Sequence, residues 1–138
     1  MPPKTYTATC HCHLITLTLT LPDALAPEGT ETINDCTCSY CLKNGYLLVY
    51  PLDENVHFEG DCESKLASYA FATKTRVHKF CPKCGSSMLI DFRQSVDVHQ
   101  RGEWGINARM IKLISRMRSI LTLMGRSCWS RSMNTVRQ

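Results

Sequence analysis

The chain lacks a hydrophobic leader, a membrane-length apolar run, an internal repeat and, after Glu103, any acidic residue. Met1-Pro2-Pro3-Lys4 runs straight into polar Thr5 and Tyr6, so no export signal is expected. No stretch reaches the ~18 consecutive apolar residues that a membrane helix needs. These absences point to the cytoplasm, with the nucleus as the alternative, and away from a membrane. Charged residues are sparse at 20%, but apolar residues reach 43%, which favours a buried core over disorder. A length of 138 residues suits one domain.

Charge is unevenly placed. Up to Glu103 there are nine basic and twelve acidic residues, a net −3; beyond it there are seven basic residues, a net +7. A basic tail on a mildly acidic body is a different object from a basic protein. With little aromatic content beyond Trp129, the tail is not expected to bind nucleic acid.

What the chain has in excess is cysteine, nine residues in all. The odd number, the missing export signal and the tight spacing argue for metal ligands over a disulfide framework. Three clusters stand out. Cys10-His11-Cys12 is a C-x-C which, if extended, puts both thiols on one side and His11 and His13 on the other. Cys36-Thr37-Cys38-Ser39-Tyr40-Cys41 gathers three thiols in six residues. Cys81-Pro82-Lys83-Cys84-Gly85 is a knuckle, whose glycine suits the positive φ that such a turn often demands. Cys62 and Cys128 match no cluster and read as free thiols.

Seven clustered thiols divide naturally into four and three. A structural zinc takes four protein ligands; a catalytic zinc takes three and leaves one position open. Joining Cys10 and Cys12 to Cys81 and Cys84 leaves Cys36, Cys38 and Cys41 as an open triad. Spacing also permits the knuckle to pair with two of the middle three.

The rest reads as a mainly β domain. Leu14 to Leu21 alternates apolar and threonine residues, a half-buried strand. Further strands are expected at Tyr46–Tyr50, Asn55–Phe58, Leu66–Phe71, Arg76–Phe80, Ser87–Phe92 and Glu103–Asn107. The folded unit is expected to span residues 1–109. In the tail, Met110, Leu113, Ile114, Met117, Leu121 and Met124 fall at helical spacing, an amphipathic basic helix with disorder beyond Gly125. Its apolar stripe is compatible with a homodimer contact.

These motifs, in this order, resemble the glutathione-dependent formaldehyde-activating enzymes, the family shared with centromere protein V. The resemblance rests on Cys10-His11-Cys12, Cys36 to Cys41, Tyr50-Pro51, Tyr69 to Thr75, His78 to Gly85 and Asn107-Ala108-Arg109. It covers about residues 6–110 and implies an Mss4-like zinc-binding fold of small antiparallel sheets. It also implies a structural zinc on the outer two pairs and a substrate-side zinc on the central triad. The implied reaction joins formaldehyde to glutathione, a carbon–sulfur lyase chemistry. Two departures stand out: His13 replaces a usual glycine, and the basic tail replaces an acidic, loop-rich C-terminus. The tail is either an extension particular to this chain or the product of a shifted reading frame or retained intron.

An open three-thiolate zinc lowers the pKa of a bound thiol. Glutathione would act as co-substrate through its sulfur, with Cys36, Cys38 and Cys41 holding the metal. His78, ordinarily titrating near neutrality, is the candidate proton shuttle. Lys74 and Arg76 are candidates to contact the glutathione carboxylates. Two other classes compete: a tailoring enzyme acting on another small electrophile, and a non-enzymatic zinc module that binds a protein partner. The open triad favours the two enzymes.

Overall fold

Leucine alternating with threonine gives one apolar and one polar face. That segment forms strand β2 (Thr16–Leu21), with Leu17, Leu19 and Leu21 at most 1% exposed. In the computed structural model, which describes residues 2–25 and 29–112, β2 is the middle of a three-stranded antiparallel sheet. Strand β1 (Lys4–Thr9) lies on one side and β4 (Val56–Phe58) on the other. The sequence reading did not foresee β1. Its inward residues are only Tyr6 and Ala8, too short an apolar pattern to stand out.

The second sheet has five antiparallel strands in the order β3 (Leu48–Val49), β8 (Trp104–Asn107), β7 (Ser87–Asp91), β6 (Val77–Phe80) and β5 (Ala67–Tyr69). Every expected strand is present, trimmed at one or both ends. Two short helices were not foreseen, α1 (Ser39–Asn44) and α2 (Cys62–Lys65).

The core has two parts that meet at β7. Met88 and Leu89 pack with Ile15, Leu17, Leu19, Trp104 and Ile106, and Cys10 and Cys81 belong to this part. Ile90 and Phe92 pack with Tyr46, Leu48, Cys36 and Cys41. Each cysteine group is therefore rooted in a different apolar cluster. The sheet is tight where they join: a Cβ on Gly105 would lie 3.0 Å from Phe92 Cε2 and 3.4 Å from Ile90 Cβ.

Packing continues past Arg109. Ile111 is 3% exposed and bridges to Ala8 of β1, and the Lys112 N–H donates to the Thr7 carbonyl at 3.1 Å. Ala108–Met110 is a 3-10 turn, so the first residues of the expected basic helix take another form. The remainder of that helix, with Cys128 and Trp129, lies outside the described residues. Among the described residues no helix is long and apolar enough to cross a membrane.

Candidate functional site

The outer cysteine group is made by two turns of similar plan. The Cys10 N–H donates to the Ile15 carbonyl at 3.1 Å, and the Cys81 N–H donates to the Ser86 carbonyl at 3.0 Å. Each turn places a left-handed residue after its second cysteine, His13 at φ 65° and Gly85 at φ 77°. Glycine takes this conformation freely, whereas a residue with a Cβ is strained there. Cys10-His11-Cys12 is thus not an extended segment, as the sequence suggested. It is the turn that joins β1 to β2, and the turn converges its thiols.

These turns bring together Cys10, Cys12, Cys81 and Cys84, with all four sulfurs within 4.8 Å of one another. Cys12 Sγ lies 3.6 Å from both Cys10 Sγ and Cys81 Sγ. Thiolates on a tetrahedral zinc, with Zn–S about 2.3 Å, sit about 3.8 Å apart. The donor set and its spacing fit zinc. Backbone N–H groups already point at sulfur, from Ile15 to Cys10 at 3.3 Å and from Cys84 to Cys81 at 3.5 Å. Burial pushes the Cys10 thiol up to about 11. At Cys84 burial acts the same way, but hydrogen bonds from the Ser86 hydroxyl and from backbone N–H groups outweigh it and hold the thiol down to about 5. The pairing of the knuckle with two of the middle cysteines is not the one formed.

The second group is Cys36, Cys38 and Cys41, again with sulfurs within 4.8 Å of one another. Cys38 is the N-cap of α1, and its sulfur accepts the Cys41 N–H at 3.4 Å. Gly45, left-handed at φ 64°, ends the helix and donates its N–H to the Cys41 carbonyl. One cap and one glycine therefore fix Cys38 at the head of a six-residue helix and Cys41 within it. Hydrogen bonds from the Cys36 and Cys41 thiols hold Cys38 far below the usual thiol range. The same contacts, with burial, push Cys41 far above it. Three thiols sharing protons in this way form a set that a metal cation could displace them from.

Aromatic rings gather on Tyr40, which packs with the triad, and the sequence reading did not select them as site residues. Tyr40 lies inside the cysteine motif itself, and its ring centroid is 4.0 Å from that of His78. Tyr69 and Phe71 stack on Tyr40 at 5.5 and 5.9 Å, and Phe71 stacks on His78 at 5.4 Å. His78 is 3% exposed, and its Nδ1 has no hydrogen-bond partner among the described residues. Burial pulls its pKa down to about 4; the Cys38 charge opposes this and the Arg76 charge adds to it. The ring is neutral at physiological pH.

Lys74 and Arg76 lie in the turn between β5 and β6, ahead of the strand on which Arg76 was expected. Lys74 is exposed and left-handed at φ 58°, as is Ala72 at φ 56°. Cys62 stands apart from both groups, a buried free thiol that donates to the Leu14 carbonyl at 3.4 Å. His11 and His13 are exposed.

Residues 5–108 match the family model described as glutathione-dependent formaldehyde-activating enzyme. A crystal structure of a Rhodobacter sphaeroides protein, a structural genomics target, is similar with a TM-score of 0.62 and 24% identity. The match covers 77% of this chain and 87% of that one, and it bears on the fold alone. No curated protein matches the chain.

Proposed function

The chain belongs to the glutathione-dependent formaldehyde-activating enzyme family, and on that premise we propose that it is a zinc-dependent carbon–sulfur lyase acting on adducts of glutathione with a small electrophile such as formaldehyde. The observation that carries this reading is the three-cysteine group beside a buried, neutral histidine. Four thiols would close a metal site, whereas three leave a position for substrate. Zinc on Cys36, Cys38 and Cys41 would supply one open coordination position that keeps a substrate thiol as thiolate. A second zinc on Cys10, Cys12, Cys81 and Cys84 would be structural.

The chain's own residues handle orientation and the proton. The substrate sulfur forms a bond to the aldehyde carbon, the carbonyl π bond opens, and the oxygen takes up the proton that the thiol gave up. The proton transfer is assigned to His78, whose Nδ1 has no hydrogen-bond partner among the described residues and whose burial makes the ring a weak base. Tyr40 and Phe71 shield the ring from water on the sides where they pack against it. Lys74 and Arg76 are assigned to the glutathione carboxylates. The reverse sequence releases the aldehyde. The partners in this reading are a small-molecule thiol and an electrophile, and a reducing cytoplasm or nucleus suits thiols that must stay free for metal.

Exchange-sensitive NMR of zinc-loaded protein with glutathione and formaldehyde tests the proposal. Exchange between free formaldehyde and its hemithioacetal should exceed the uncatalysed rate and fall to it in Cys38→Ser. Normal glutathione binding without acceleration would shift the reading to another electrophile. Absence of glutathione binding would leave a zinc module for a protein partner.

A further inference from the structure

Two buried side-chain atoms find no hydrogen-bond partner among the described residues, His78 Nδ1 and Asn34 Oδ1. The proton relay uses the first. Nothing so far uses the second.

Asn34 stands two residues before Cys36 in the chain. From Asn34 to Cys38 the residues alternate, with Cys36 buried, Asn34 and Cys38 partly buried, and Asp35 and Thr37 exposed. The Asn34 backbone is fixed by reciprocal hydrogen bonds with Leu48, both 2.8 Å. Leu48 packs in the same cluster as Cys36 and Cys41. The side chain is held too: Nδ2 donates to the Tyr50 hydroxyl at 2.7 Å, and Tyr50 stacks on Phe92. One end of the amide is therefore tethered, and the carbonyl end is bare. A buried carbonyl without a donor is destabilising, and such groups are rare in folded proteins.

We infer that Asn34 Oδ1 accepts a hydrogen bond from an amide N–H of the thiol substrate and so selects peptide thiols over simple ones. The inference rests on the thiol-binding reading above. In a peptide thiol such as glutathione the cysteinyl N–H is three bonds from sulfur, within reach of a group on the same face as the ligating thiols. A simple thiol carries no such donor and leaves the carbonyl bare.

Calorimetric titration of the zinc-loaded chain with glutathione and with 3-mercaptopropionate tests this. Asn34→Leu should weaken glutathione binding about tenfold or more, leave 3-mercaptopropionate within about twofold, and retain the zinc. Tyr50→Phe, which removes the tether, should lower the preference for glutathione to a smaller degree, and it carries the decision if Asn34→Leu does not fold. Unchanged glutathione affinity, or an equal loss for both thiols, overturns the inference alone. Failure of the wild-type protein to bind either thiol overturns it together with the reading on which it rests.

Discussion

Cys12 Sγ lies 3.6 Å from Cys81 Sγ, although 69 residues separate them in the chain. That contact joins the turn after β1 to the knuckle after β6. It ties the three-stranded sheet to the five-stranded one inside the apolar cluster that holds Cys10 and Cys81. A metal ion there would cross-link the two sheets.

The two cysteine groups should therefore respond differently to loss of a ligand. Metal bound by a closed set of thiolates is folding free energy, on the order of 10 kcal/mol for structural zinc. That is comparable with the whole stability of a small domain, about 5–15 kcal/mol. Cys81→Ser or Cys10→Ser should thus abolish cooperative melting. Cys38→Ser should keep a cooperative melt, because the triad sits on one short segment and links no distant parts of the chain. Metal analysis after mild chelation should show one ion lost readily and one retained. Equal collapse of all three variants would mean that the triad is structural as well.

His13 offers a stability gain. It occupies a left-handed position at φ 65° that mirrors Gly85 at φ 77° in the opposite turn. For a residue with a Cβ this conformation costs about 1–2 kcal/mol, part of which glycine would give back as extra entropy in the unfolded chain. His13→Gly should raise stability by about 0.5–1 kcal/mol, and His13→Val should lower it by about 1–2 kcal/mol. Its exposed ring makes only a weak contact, Nδ1 to Thr9 Oγ1 at 3.4 Å. Thermal melts of zinc-loaded protein decide; a loss of stability in His13→Gly would show that the ring contributes more than the strain removes.

Much of this arrangement was legible in the sequence, and the limits have physical causes. The leucine–threonine alternation of β2 is a direct reading of strand geometry, and close cysteine spacing reveals thiols that must converge locally. The six-residue α1 is under two turns long, so no helical period can show in it. The aromatic cluster is invisible for another reason. Tyr40 comes from α1 and Tyr69, Phe71 and His78 from the β5–β6 hairpin, and only the fold sets them together. His78 was chosen for a pKa near neutrality, but burial under these rings takes that away. Spacing could not have told this, because it carries no information about depth.

That burial gives a pH dependence whose sign is fixed. The His78 pKa falls from an unfolded value of 6.5 to about 4 in the folded chain. Between those values the unfolded state binds the additional proton, so stability is full above about pH 6.5 and falls as the pH drops toward 4. The loss is roughly 2–3 kcal/mol, the scale of a shift of this size. Ring resonances of His78 should keep the neutral pattern at pH 5.5, where a free imidazole in water is mostly protonated. Titration of His78 near pH 6.5 would mean that the ring is open to solvent. His78→Gln should flatten the acid side of the stability profile.

The last prediction concerns where the folded unit ends. The sequence reading placed its boundary at Arg109, because the last strand pattern stops near Asn107 and the next residues begin a helical stripe. Ile111 nevertheless bridges to Ala8 and is 3% exposed, so its side chain belongs to the same core as β1 and β2. Truncating a buried isoleucine to alanine costs about 2–5 kcal/mol, the lost transfer energy plus the cavity left behind. Ile111→Ala should fall in that range, whereas Lys112→Ala, at an exposed side chain, should change stability by less than about 0.5 kcal/mol. Urea unfolding of both variants, with zinc present throughout, separates the two cases. A cost at Ile111 as small as that at Lys112 would restore the boundary at Arg109. A large cost would make Ile111 a closing residue of the first sheet, and truncation at Arg109 would then remove part of the core along with the tail.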